Sequence, residues 1–239
     1  MSDSTIIVIA CVVGAYSLIQ SLFGVGLLVF GTPTLLLLGI PFQTALCYLL
    51  PASATISLLQ LRKNYSAVDL RREIAWYCIP GVIAGLAVLI SLRHTVNIRL
   101  WVGLLLLVTA AIRCFAFQAI KRSLKSHSRA GFALVGLVHG FTNMGGGLLS
   151  ILVSSLRTEK TSIRSNVAFG YFVMALSQIL MLVLFWNQRI PLAAVGMMVL
   201  AAAVYELAGQ RLFQLTSERG YQQLLTGFIA VFGISLITL

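Results

Sequence analysis

Acidic side chains are almost missing from this chain: 6 Asp and Glu in 239 residues, against 17 Lys and Arg. Charged residues of both signs make up 10%, where soluble domains carry about 25%. A water-soluble fold of this size has to cover its surface with polar side chains, and this supply is too small. Histidine is scarce as well, at three. With three histidines and no acidic cluster, neither an intramembrane metalloprotease nor a metal centre fits. No HExxH, phosphate-binding loop or nucleophile-base pair occurs. No cofactor is expected, and nothing supports catalysis. The four cysteines, Cys11, Cys47, Cys78 and Cys114, form no CxxC pair, which excludes a disulfide scaffold and leaves them as small packing residues. There is no run of five basic residues, so the net charge of +11 does not point to nucleic acid.

What the chain does have is apolar sequence. Hydrophobic residues reach 59% and the mean hydropathy is +0.98. Continuous runs, not period-two alternation, argue for transmembrane helices over a β-barrel. The runs are 5–38, 42–61, 74–92, 98–118, 130–156, 163–186, 190–208 and 221–239. Six of them suit one crossing of about 20 residues each. The first and fifth do not. The run 5–38 is interrupted at Gly24-Val25-Gly26, with Gly31 and Pro33 following, and 130–156 breaks at Gly145-Gly146-Gly147. Each is either one crossing with an unwound middle or a hairpin that returns to its own side. Basic loop residues decide between these. With two hairpins, 14 of the 17 Lys and Arg fall on one side, and the positive-inside rule makes that side cytoplasmic. Both termini then lie outside. The N-terminus lacks the basic start of a signal peptide, so the first run is expected to be retained. Trp76, Trp101 and Trp186 lie near run ends and read as interfacial anchors. Pro33, Pro51 and Pro80 are expected to kink or start helices.

The two interrupted runs superimpose at an offset of 119 residues: Gln20 meets His139, Gly24 meets Asn143, Gly26 meets Gly145 and Leu28 meets Gly147. Further on the offset becomes 124, pairing Gly85 with Gly209 and Gly103 with Gly227. The expected architecture is all-α and polytopic, in two inverted repeats, each a glycine-broken helical hairpin plus three transmembrane helices. Residues 1–118 form the first repeat, 119–129 a basic cytoplasmic linker and 130–239 the second. Such repeats are a recurring transporter plan with the site at their interface.

A broken helix at membrane depth must be buried in protein or line a polar cavity, because bare backbone groups cannot face lipid. Helices restarting after the breaks, near Leu27–Thr34 and Gly146–Ser150, present free N–H groups and a positive dipole end, which suit an anion. The alternative use of such glycines is close helix packing. The candidate substrate residues are Gln20, Gly24, Gly26, Thr32, Pro33, His139, Asn143, Gly145, Gly146, Gly147 and Asn166. Further polar groups nearby are Thr142, Ser53, Thr55, Ser165 and Gln178. His139 and Glu206 are the candidates for ion coupling, since ionisable groups inside a membrane are costly. The bland reading is a hydrogen-bonded packing residue for His139 and a headgroup-level residue for Glu206.

Gly24-Val25-Gly26, then Thr32-Pro33-Thr34-Leu35, Gly39 and Ala45, resembles the first half-signature of the TauE/SafE sulfite-exporter-like permeases. Gly140-Phe141-Thr142-Asn143-Met144-Gly145-Gly146-Gly147, then Lys160 and Arg164-Ser165-Asn166, resembles the second. The resemblance implies a small permease of the bacterial inner membrane that moves sulfite, sulfonates or related organic anions. The expected partners are that anion and the lipid bilayer. Protons as the coupling ion and self-association stay open. So do two other functions: a membrane scaffold or assembly factor, and a passive anion channel.

Overall fold

A computed structural model describes residues 3–92, 126–221 and positions 98, 100–102, 104, 108, 223 and 224. The described residues are helical or irregular, without a strand. In order they form α1 (Asp3–Phe23), α2 (Leu27–Leu37), α3 (Phe42–Asn64), a 3₁₀ turn (Tyr65–Ala67) and α4 (Arg71–Ser91). Then come α5 (Ser128–Thr142), α6 (Gly146–Leu156), α7 (Lys160–Leu184), α8 (Ala193–Val204), a π turn (Tyr205–Gly209) and α9 (Gln210–Leu215). Five stretches are long and apolar enough to cross a membrane: Asp3–Phe23, Phe42–Ala67, Arg71–Ser91, Lys160–Leu184 and Ala193–Leu215. Most of the expected runs 98–118 and 221–239, with Cys114, Gly103 and Gly227, lie outside the described residues.

Both interrupted runs are hairpins. On the first, Gly26 lies against Ile19 and Gln20 while Gly31 lies against Val12, the register of two antiparallel helices. On the second, Gly145 lies against Val135 and His139 while Gly131 lies against Leu152. At 1.5 Å per residue α1 is about 31 Å long, enough for a full crossing, whereas α2 and α6 are each about 16 Å. The helices run on through Pro33, Pro51 and Pro80. None of these prolines starts a helix, as the sequence had allowed.

Helix α3 is the centre. It packs on α1, α2, α7 and α8, and 78% of its apolar window is buried, against 28% for Ala193–Leu215. That is why α3 can carry Ser53, Ser57 and Gln60 in its apolar run: all three face protein and are buried. The outer helices show large apolar residues outward, among them Leu180, Leu184, Leu192 and Val199, a face suited to lipid. Of the three tryptophans read as interfacial anchors, Trp76 and Trp101 are exposed and Trp186 is buried. It follows α7 with its N–H still bonded to Met181 O, which turns the indole inward.

The packing is reciprocal between the halves. Helix α4 of the first half packs on α5 of the second, and α8 of the second packs on α1 of the first. Likewise α3 meets α8 as α7 meets α4, while α3 meets α7 and α2 meets α6.

Candidate functional site

After Phe23 the chain turns through Gly24 at φ 73°. This is the left-handed region, which side chains with a Cβ rarely adopt. A Cβ there would also come within 2.9 Å of Arg164 O and against Val167. At Gly26 a Cβ would lie 2.7 Å from Gln20 N. The carbonyls freed where α1 ends are taken up by α3. Gln20 O accepts from Gly24 N at 2.8 Å and from Gln60 Nε2 at 2.9 Å, and Gln60 Nε2 also reaches Ser21 O at 3.0 Å. The Gln20 amide is held at both ends. Its Oε1 accepts from Ser53 Oγ at 3.0 Å, and its Nε2 donates to Ser53 O at 3.0 Å and Ser57 Oγ at 3.2 Å.

The second break follows the same plan with different residues. His139 O accepts from Asn143 N at 2.7 Å and from Gln178 Nε2 at 3.1 Å. The unwound residues are Asn143 to Gly145, not Gly145 to Gly147. Asn143 takes the left-handed conformation at φ 63°, which asparagine tolerates better than most residues. Gly146 and Gly147 already belong to α6. Their smallness serves proximity, since a Cβ on Gly146 would collide with the Tyr171 ring and hydroxyl. Gly147 O accepts from Ser150 Oγ at 2.9 Å. Asn143 Nδ2 donates to Thr32 Oγ1 at 2.8 Å, tying the second break to the middle of α2 one residue before Pro33.

The two breaks differ in what they leave unbonded. At the first, the Gln20 side chain is fully engaged, and Gln60 Oε1 is the acceptor left buried without a partner among the described residues. At the second, His139 Nδ1 and Nε2, Asn143 Oδ1, Tyr171 Oη and Gln178 Oε1 are all buried without a partner. The His139 and Tyr171 rings stand 6.0 Å apart, and both residues have no exposed surface. An unmet buried donor or acceptor costs about 1–3 kcal/mol, so this cluster stores a demand for polar contacts. Beside it starts α6, which has no side-chain cap. Its first-turn N–H groups have no partner within the helix. A phenol hydroxyl, an imidazole N–H and these amides are all donors, and the dipole end is positive. The arrangement can take up an oxyanion. Among the described residues no cluster of His, Cys, Asp and Glu could hold a metal.

Two candidates sit elsewhere. Asn166 lies nearer the start of α7. Its Oδ1 accepts from Leu70 N at 2.9 Å, and its Nδ2 donates to Asp69 Oδ1 at 2.8 Å and Ser162 O at 2.9 Å. This bolts the α3–α4 connection onto α7. Asn166→Ala should therefore lower stability by about 1–3 kcal/mol, the cost of stranding Leu70 N, and leave substrate affinity unchanged. Thermal unfolding and ligand titration of the purified variant check this. Glu206 pairs with Lys63 at 2.7 Å, and both side chains are partly exposed.

Sequence reasoning passed over Tyr171 and Gln60. Gln60 makes at the first break the bond that Gln178 makes at the second, and the two sit 118 residues apart, one short of the offset that relates the breaks. Arg164, at the start of the apolar run 163–186, is wholly buried in the second turn of α7. Its Nη1 donates to Ser21 O at 3.2 Å, Nη1 and Nη2 each reach Gln210 Oε1 at 3.3 Å, and its guanidinium lies 3.4 Å from the Phe213 ring centre.

A family model described as Sulfite exporter TauE/SafE matches residues 7–236, nearly the whole chain. No curated protein and no solved structure gives a significant match.

Proposed function

Because the chain belongs to the sulfite exporter TauE/SafE family, we propose that it exports a small sulfur-containing or organic anion, such as sulfite or a sulfonate, across the bacterial inner membrane. Membership makes it a membrane transporter and not an enzyme. The observation that carries the finer reading is the set of unbonded buried donors at the second break: His139, Tyr171 and the first turn of α6. A desolvated anion loses its water shell, and this site offers prepaid hydrogen bonds in its place.

Two inverted halves are the architecture we assign. The reciprocal helix pairings support it, as do the matched bonds to Gln20 O and His139 O. The cytoplasmic loops are those rich in Lys and Arg, with both termini outside. Both breaks border α7, Gly24 at Val167 and Gly146 at Tyr171, positions about 6 Å apart along its axis. His139 and Tyr171 have no exposed surface, which suits an occluded state of an alternating-access cycle better than an open pore. His139 is the coupling candidate we retain, because its imidazole can exchange a proton beside the anion.

Flux from proteoliposomes tests this. We expect saturable sulfite or methanesulfonate movement that an imposed pH gradient accelerates. His139→Gln should lose at least about tenfold in rate, a general acid–base group being worth that or more. Flux without saturation would replace the carrier by a channel. No flux of any tested anion would leave the scaffold reading.

A further inference from the structure

Arg164 is a buried cation without an acid to answer it. All six carboxylate side chains of the sequence are Asp3, Asp69, Glu73, Glu159, Glu206 and Glu218, and each lies among the described residues. Asp69 pairs with Arg157 and Glu206 with Lys63. Glu218 accepts the backbone N–H of Lys160 at 2.8 Å. None reaches Arg164. Its Nε has no hydrogen-bond partner among the described residues. A buried charge left uncompensated is strongly unfavourable, and the neutral carbonyl of Ser21 with the C-terminal dipole of α1 offsets only part of it.

The surroundings are those of a polar nest. Three donors converge on one neutral oxygen: Gln210 Oε1 receives Arg164 Nη1 and Nη2 at 3.3 Å and Tyr205 Oη at 3.0 Å. Phe213 floors the guanidinium, and Lys160 Nζ lies 5.0 Å from the centre of the same ring. Among the described residues Lys160 Nζ is itself bonded to the carbonyls of Thr216 and Phe213. Two cations thus lie close to one aromatic ring. Gln210 is only half-buried and follows a π turn, an irregularity often found at functional sites. Gly209 in that turn lies against Ser21 of α1.

We propose that Arg164 and Tyr205 form a second anion station beneath the first helix break, in which Gln210 Oε1 holds the place of one oxygen of a sulfonate or carboxylate. Only the choice of anion rests on the transport reading above. A guanidinium with two parallel N–H groups fits such an oxyanion in bidentate fashion, and the partly exposed Gln210 is the group that yields. The station is separate from the His139 cluster, which borders α7 higher, at Tyr171.

The experiment is methanesulfonate titration of detergent-purified protein at fixed ionic strength, by calorimetry. Gln210→Ala removes the internal competitor and keeps both donors, so binding should tighten about three- to tenfold, corresponding to about 0.7–1.4 kcal/mol. Arg164→Lys keeps the charge and loses the fork. Added to Gln210→Ala, it should erase that gain. Both are also made on a Gly146→Ala background, which disables the other site. A gain from Gln210→Ala that survives there assigns it to the Arg164 station, even if vesicles show no flux. Unchanged or weaker binding in Gln210→Ala, or a gain that Arg164→Lys does not remove, overturns the proposal and leaves the transport reading standing.

Discussion

Gly146→Val should insert in the membrane and move no anion, with flux down at least about a hundredfold; in enzyme oxyanion holes, loss of a single preorganised donor already costs about that much. The added Cβ would overlap the Tyr171 ring and hydroxyl. Tyr171 is fully buried, so the ring cannot retreat to solvent, and the valine also covers the first amides of α6. Overpacking of this kind typically costs about 1–3 kcal/mol, within what a whole polytopic fold tolerates. Tyr171→Phe separates the two contributions. It keeps the ring and removes only the hydroxyl, and should weaken substrate binding by about 1 kcal/mol, the net worth of one hydrogen bond. Membrane-fraction yield and a symmetric gel-filtration peak establish insertion. Wild-type flux in a properly inserted Gly146→Val protein would remove the α6 N-terminus from the site.

The breaks were legible because their residue types are special. Gly24 needs positive φ, and Gly26 and Gly145 need to lack a Cβ, so glycine marks both places in the sequence at one offset. The second break was read two residues late because asparagine supplied the left-handed turn and glycines stood beside it for another reason. Contacts that depend on which face of a helix turns inward were not legible. Tyr171 reads as one more aromatic in an apolar run, and its unbonded hydroxyl has meaning only once Gly146 lies under it. Asn166 shares a motif with Arg164, yet one faces a connecting loop and the other a buried ring. Trp186 sits at a run end like Trp76 but turns inward with the chain after α7. A one-dimensional pattern carries apolar lengths and helix breakers. It does not carry the rotation of each helix about its axis.

That rotation decides the second large effect, which lies at the α4–α5 seam. Gly81 and Gly85 on α4, and Gly136 and Gly140 on α5, are each four residues apart and meet face to face. A Cβ on Gly85 would strike Leu137 O, one on Gly136 would strike Cys78 O, and one on Gly140 would strike Val82 O. Helices in lipid gain no hydrophobic drive from meeting. They hold together by dispersion, close polar contacts and small residues that let backbones touch. Cys78 Sγ, bonded to Phe132 O at 3.2 Å, adds to the same seam. Gly140→Val should therefore prevent assembly, giving aggregated or degraded protein and no monodisperse peak. Gly140→Ala should lower the unfolding temperature clearly. Gly196→Ala is the control: nothing lies within 4 Å of its added methyl, so it should be neutral or gain up to about 1 kcal/mol from helix propensity. His139 stands between Gly136 and Gly140 on the same helix, so the seam sets where the imidazole lies relative to Tyr171. A variant that only widens it, such as Gly81→Ala, should lose flux by a larger factor than its loss of folded yield. Equal losses in both would reduce the seam to a fold determinant with no bearing on the site.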